Sequence, residues 1–331
     1  MKTLENALKH RVGLGTAPLG NMFRNVPEEE ARETIQTAWN QGVRYFDTAP
    51  FYGAGLAESR LGDVLSQYDR DEYVISTKVG RYMTQEEEDK DGLFAHGRNN
   101  KVITDYSAEA TRKSIEQSLE RLKTDRLDIV YVHDLSPDFH GDEWISKFEE
   151  ARTGAFRVLS EMREKGIIKG WGLGVNTTEP IEIAMELEEN RPDINLSAIQ
   201  YTLLQHDRAL ERMMKTAEEK GIDIVVGGPY NSGALFGGDH FNYEKAGADI
   251  IGRVNQLKEI GDKHGVHLKA AALQFSTAHP AVKSVIPGST RPERIKEDLD
   301  MIQRDIPEAF WQELVERGFI SPQAPLPKSQ K

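Results

Sequence analysis

Four side chains in this sequence have the types and spacing of a proton-transfer centre. Asp47 lies near the end of "VRYFDT" (43–48) and Tyr52 follows five residues later. Lys78 lies near the end of "YVISTKV" (73–79), and His133 near the end of "LDIVYVHD" (127–134). A phenol of ordinary pKa, about 10, is a poor acid or base at neutral pH. A neighbouring ammonium favours the phenolate and lowers that pKa. An ammonium set in an apolar run is costly without a partner, and Asp47 is the carboxylate on hand. On this reading Asp47 holds Lys78, Lys78 lowers Tyr52, and His133 orients a substrate oxygen. Tyr52 then gives a proton to a carbonyl oxygen or takes one from a hydroxyl. A hydride must travel the other way, and no side chain supplies one, so the set calls for a nicotinamide or flavin cofactor. Each residue alone has a plainer reading: a turn-forming Asp, a solvated Lys, a satisfied His. Four together at the ends of three successive strands fit that account poorly.

The elements that would position them alternate along the chain. The strand candidates are 11–16, 43–48, 73–79, 127–134, 168–175, 196–201, 222–228 and 282–288, with amphipathic segments between most of them. Pro27 near the start and Gly42 just past the end bracket one helix, and Ser107 is a good cap for another. Eight alternating units predict a (β/α)8 barrel, whose chemistry sits at the carboxyl ends of the strands. The doubly wound alternative needs a glycine fingerprint and a following acidic residue. "GLGTAP" has Pro18 where the third glycine belongs, and "GWGLGVN" spaces its glycines wrongly. Two connections are long, 81–106 after strand three and 227–247 after strand seven, and segments of this length are usually functional covers or disordered. The reading is one barrel domain over 1–331, with an extended or disordered tail at 319–331.

Composition narrows the partners. The 331 residues carry a formal charge of −12, which disfavours nucleic acid and acidic membranes. No cysteine is present, so disulfides, thiolate nucleophiles and Cys-ligated zinc are excluded. No apolar run reaches spanning length and the N-terminus lacks a signal-peptide core. A cytoplasmic protein is expected, monomeric or weakly homo-oligomeric, acting on a small molecule. No metal is expected, and His264 and His267 read as solvated surface.

The pieces "GLGTA", "YFDTAPFYG" with "GLAESRLG", "STKVG", "LDIVYVHD", "IQY" and "VIPGSTRPERIKEDL" resemble the aldo-keto reductases over about residues 11–300. The resemblance matches that family's catalytic tetrad to Asp47, Tyr52, Lys78 and His133. It implies a nicotinamide dinucleotide bound in extended form across the barrel mouth. Asn176 and Gln200 would hold the carboxamide, with Thr16, Ala17 and Asp47 near the nicotinamide ribose. Tyr230, Asn231 and Ser232 would border the cofactor, and Gly288, Ser289, Thr290, Arg294, Glu297 and Asp298 its adenosine end. Gly288 stands where many NADPH-preferring members carry lysine, and Asp298 where an adenine-contacting asparagine occurs, so NAD is expected over NADP, with Arg291 and Arg294 as partial compensation. Phe51, Tyr52, His133, Tyr82 and Trp171 are the expected substrate contacts, with His96 beside them. "GLGTAPLGN", "FDTAPFYGAGLAESRLG" and "GGPYNSG" are most similar to the subgroup of D-threo-aldose 1-dehydrogenases, L-fucose and L-galactose dehydrogenases and pyridoxal 4-dehydrogenases. That subgroup implies oxidation of a hemiacetal hydroxyl to a lactone, with Tyr52 as base. The alternatives are an NADPH-dependent carbonyl reductase and a non-catalytic nicotinamide-binding regulatory subunit.

Overall fold

The computed structural model describes Leu8 and residues 11–328. Eight short parallel strands form one sheet: β1 (Leu14–Gly15), β2 (Tyr45–Asp47), β3 (Val74–Val79), β4 (Ile129–His133), β5 (Gly170–Val175), β6 (Ile194–Ala198), β7 (Asp223–Gly227) and β8 (Val282–Ile286). They pair in sequence order, and parallel bridges Val12–Val285 and Gly15–Gly288 bring the last strand back to the first. Every strand lies within one of the predicted runs except β6, which starts two residues before its run and ends before Ile199–Tyr201.

Strand parity sorts the side chains into two layers. Tyr45, Val74, Ile129, Tyr131, Leu196, Val225 and Ile286 fill the barrel interior. Their chain neighbours, such as Phe46, Ile75, Val130, Val132 and Leu173, face the helices. The first of these helices, α1 (Glu28–Asn40), buries Ala31, Thr34, Ile35, Ala38 and Trp39 at three- and four-residue spacing. Glu28, Glu29 and Glu30 occupy its first turn, where the macrodipole favours anions. The helix Ala108–Leu122, α2, starts at Ser107, whose side chain accepts from Ala110 N, so the predicted cap is present.

Both long connections are built structures. Residues 81–106 form an antiparallel hairpin, Arg81–Glu87 against Asn100–Thr104, with Phe94 buried in the turn region. Residues 227–247 hold a helical turn, Asn231–Phe236, and a small hairpin, His240–Phe241 against Glu244–Lys245. The expected loose tail is docked at its start. Phe319, Ile320 and Ala324 are buried, and Ser321 N donates to His206 Nε2 at 3.1 Å. Apolar Phe319 and Ile320 gain more by burial than the chain loses in freedom, which proline content alone did not reveal. Residues 329–331 of that expected tail lie outside the described residues. Of the two histidines expected at a solvated surface, His267 is exposed and His264 half-buried. His264 pairs with Glu313 at 2.7 Å, and His267 caps a helix by accepting from Lys269 N.

Candidate active site

The carboxyl ends of β2, β3 and β4 bring Asp47, Lys78 and His133 to one rim. Parity explains it: 45 and 47, then 74, 76 and 78, then 129, 131 and 133 all face inward, so each strand presents its last polar residue to the mouth. Lys78 Nζ donates to Asp47 Oδ2 and to Thr48 O, both at 2.8 Å. Lys78 is 1% exposed and Asp47 2%. The lysine stem passes over Gly174 of β5, where an added Cβ would lie 3.4 Å from Lys78 Cε, so the glycine leaves the ammonium its path.

Beneath this pair runs a buried chain of hydroxyls. Ser76 Oγ donates to Asp47 Oδ1 at 2.6 Å, and Tyr45 OH lies 3.0 Å from Ser76 Oγ and 3.2 Å from Tyr131 OH. Burial raises the Asp47 carboxyl above its usual range, while Lys78 and Ser76 pull it back. Sequence reasoning missed Tyr45, Ser76 and Tyr131, although their places two residues before Asp47, Lys78 and His133 were a usable signal.

Tyr52 sits half-buried in the loop after β2, with Lys78 Nζ 4.8 Å from its ring centroid and the His133 ring edge-on at 5.7 Å. The net shift of its pKa is upward, because burial outweighs any lowering by Lys78. The ammonium gives two of its three N–H groups to Asp47 and Thr48. Burial pushes the Tyr52 hydroxyl well above its ordinary value, the Asp47 and Asp134 charges push the same way, and Arg81 opposes them. His133 is held well below the usual imidazole range by burial, then by Arg81 and Lys78, so its ring is neutral at physiological pH.

Arg81 was not among the expected residues. It stands two residues past the end of β3, 2% exposed, with Nη1 2.9 Å from Asp134 Oδ2 and its guanidinium 4.3 Å from the rings of both Phe51 and Phe139. Its place three residues after Lys78, in a buried part of the long connection, was a weak signal at best.

The expected substrate contacts separate. Phe51 lies at the mouth against His133 at 6.2 Å and Phe94 at 5.2 Å, and Phe94 itself stacks on Tyr52 at 5.8 Å. Trp171 does not reach the mouth. It is the second residue of β5, fully buried, and packs on Phe156 at 5.0 Å in the layer between barrel and helices. Tyr82 lies on the hairpin face beside α2, with Lys113 Nζ 4.1 Å above its ring. His96 contributes its backbone oxygen to Asn21 Nδ2 at 2.7 Å.

On the cofactor side, Thr16 is buried with Oγ1 donating to Asp47 O at 2.9 Å, and Ala17 follows it. Asn176 and Gln200 follow the ends of β5 and β6, where Gln200 Nε2 donates to Asn176 O and Asn176 Nδ2 to Asp138 Oδ2 at 3.3 Å. Just before the helix Pro292–Ile302, α3, Ser289 Oγ accepts from Arg291 N at 3.0 Å, and Thr290 Oγ1 accepts from Arg24 at 2.7 Å. Arg24 is paired in turn with Glu30, and Arg294 is exposed. Several of the residues expected at the cofactor are already engaged within the protein. Asp298 is buried, accepts from Tyr230 OH at 2.5 Å and lies 3.3 Å from Lys269 Nζ, so it adds no free anion at the adenosine end. Glu297 accepts from the same ammonium at 2.7 Å. Asn231 and Ser232 are engaged in fastening the small hairpin, through Asn242 Oδ1 and Tyr243 N.

The arrangement suits a nicotinamide dinucleotide. Two amide side chains stand at adjacent strand ends, Thr48 Oγ1 is buried beside Asp47 without a partner, and a helix begins beyond Ser289. At Gly288 an added Cβ would meet Pro18 Cγ at 2.9 Å, so a side chain there forces Pro18 or the backbone to move.

A family model, the aldo/keto reductase family, matches residues 11–317. The chain belongs to the aldo-keto reductases. It is 39% identical to the pyridoxal 4-dehydrogenase of Microbacterium luteolum over 327 residues, covering 94% of each chain. It is 33% identical to a D-threo-aldose 1-dehydrogenase of Pseudomonas sp., covering 93% of this chain and 94% of that one. Among solved structures, a holo aldo-keto reductase of Bacillus halodurans superposes with a TM-score of 0.69 at 23% identity, covering 93% of this chain and 91% of that one, which speaks for the fold. The chain is an oxidoreductase of a family that uses nicotinamide cofactors. No helix among the described residues is long and apolar enough to cross a membrane.

Proposed function

We propose that this aldo-keto reductase oxidises the hydroxyl of a cyclic hemiacetal to a lactone, with pyridoxal in its hemiacetal form as the preferred substrate and aldoses such as L-fucose, L-galactose or D-arabinose second. The observation that carries the choice is the aromatic wall beside Tyr52. Phe94 stacks on Tyr52 at 5.8 Å, and Phe51 stands edge-on to Phe94, His133 and Phe139. A flat heteroaromatic ring gains by stacking on such a surface. A free sugar needs a hydrogen-bond partner for each hydroxyl, and these rings supply none. The similarity to pyridoxal 4-dehydrogenase supports the same choice.

In the proposed reaction neutral His133 orients the substrate oxygen and Tyr52 takes the hydroxyl proton. Lys78, fixed by Asp47, keeps a cation against the Tyr52 ring, and Arg81 favours the phenolate. A nicotinamide held at Asn176 and Gln200 would supply the hydride acceptor. NAD is the favoured cofactor: residue 288 carries no cation, and Arg24 beside Thr290 is already neutralised by Glu30. The raised pKa of Tyr52 supports a second reading, an NADPH-dependent carbonyl reductase, because a protonated phenol is the acid that reduction needs.

The test follows formation of reduced nicotinamide from NAD and from NADP with pyridoxal and the three sugars, across pH. Highest kcat/KM with NAD and pyridoxal, rising toward alkaline pH, is expected. Turnover confined to NADPH and free aldehydes would replace this proposal with the reductase.

A further inference from the structure

The loop after β7 carries a backbone feature that the tetrad does not use. Its small hairpin pairs His240 with Lys245 and Phe241 with Glu244, leaving Asn242 and Tyr243 as the two turn residues. Both have positive φ, 49° and 72°. A two-residue turn with left-handed backbone at both positions normally takes Asn-Gly or Asp-Gly. Asn242 fits that pattern, but a bulky aromatic residue at the second position is an outlier. Such a conformation persists only where its surroundings over-determine it. Here three hydrogen bonds do so. Tyr243 N donates to Ser232 Oγ at 2.8 Å, Asn231 Nδ2 to Asn242 Oδ1 at 2.9 Å, and Asn242 Nδ2 to Gln205 Oε1 at 3.0 Å. The His240 ring, 5.1 Å from Phe23, ties the same hairpin to the loop after β1.

Glycine would make this turn without strain, and what glycine lacks is the ring. That ring packs against the inner barrel residues, partly buried, with its hydroxyl 3.9 Å from where a Cβ on Gly228 would stand. Burial raises the Tyr243 hydroxyl, and the next largest influence is Tyr52, followed by Asp134 and Lys78, which agrees with a place at the tetrad. In the strand order β7 lies across the barrel from β3, whose hairpin supplies Phe94. The mouth is therefore bordered by Phe94 and Phe51 on one side and by Tyr243 on the other.

We propose that Tyr243 is a specificity-determining residue, its ring forming the second wall of a slot that admits flat aromatic substrates edge-first to Tyr52. The slot rests on the hemiacetal reading only for the identity of the substrate, not for the position of the ring. Because the wall acts through its face, Tyr243→Phe keeps the preference, whereas Tyr243→Asn and Tyr243→Gly, both at ease with positive φ, remove it.

The experiment measures kcat/KM for pyridoxal and for L-fucose in the wild type and the three variants, with NAD affinity and Tm recorded alongside. The ratio of pyridoxal to L-fucose should fall about tenfold or more in the Asn and Gly variants, the scale of a lost pocket contact, and should hold in the Phe variant. A ratio that stays put in Tyr243→Gly overturns the proposal. So does a fall in NAD affinity with an unchanged ratio, which would assign the ring to the cofactor. Failure of both small variants to fold would show a structural prop and overturn it equally. A wild type inert to every hemiacetal faults the assigned reaction alone. The same ratio is then read in the reductive direction, with benzaldehyde against propionaldehyde.

Discussion

Lys78→Met keeps the length of the buried side chain and removes its charge. Asp47, 2% exposed, then loses the 2.8 Å ammonium and keeps only Ser76 Oγ at 2.6 Å. Removing one partner of a buried pair costs roughly 3–5 kcal/mol, because the other charge is left uncompensated. At about 2 °C per kcal/mol for a chain of this size, Tm should drop by about 6–10 °C. The loss should depend on pH with a definite sign. Burial already raises Asp47, and Lys78 is the largest influence pulling it back, so the variant raises it further. A carboxyl whose folded pKa lies above its unfolded value binds more protons when folded. Its stability is kept below the unfolded pKa and lost as pH rises through the folded one. The Tm deficit of Lys78→Met should therefore be larger at alkaline than at mildly acidic pH. Thermal unfolding followed by circular dichroism across that range checks it, and adding Asp47→Leu in the same chain should recover part of the loss without restoring turnover. An unchanged Tm at alkaline pH, or a deficit that grows toward acid, would refute the account of a buried, mutually dependent pair.

Tyr52→Phe should retain NAD binding and lose turnover by about 10²-fold or more, read from steady-state kinetics beside a cofactor titration. Arg81→Met removes a charge that opposes the rise of the Tyr52 pKa, so the alkaline rise of the oxidation rate should move to higher pH; an unmoved pH–rate profile would exclude that influence. Gly288→Lys should not convert the enzyme to NADP, since its Cβ meets Pro18 at 2.9 Å. It should instead weaken both cofactors, and a selective gain for NADP in saturation curves would show that Pro18 yields. Trp171→Phe should lower Tm by a few degrees with KM unchanged, because the indole packs on Phe156 away from the mouth.

The alternation of apolar runs and amphipathic segments carried the eight-stranded barrel, since periods of two and of 3.6 residues are local properties of the chain. The tetrad was legible for the same reason: a strand end is marked in sequence, and the barrel sends every such end to one rim. Parity along β2, β3 and β4 also encoded the hydroxyl chain of Tyr45, Ser76 and Tyr131. What the sequence by itself did not determine is whatever depends on contacts between distant segments. Trp171 sits within a strand whose end does point at the mouth, yet its position along β5 and its parity place it against Phe156. Asp298 reads as a free anion until the fold brings Lys269 and Tyr230 to it. Lys78 reads as the group that acidifies Tyr52, but packing also buries the phenol, and burial, opposed by Arg81, sets the direction of the Tyr52 shift. Tyr243 had no sequence signal at all, because its role depends on a turn made from residues 205, 231 and 232 as much as from its own hairpin. Local periodicity chooses which face a residue shows; only tertiary packing decides what stands opposite it, and charge and solvation follow from that neighbour.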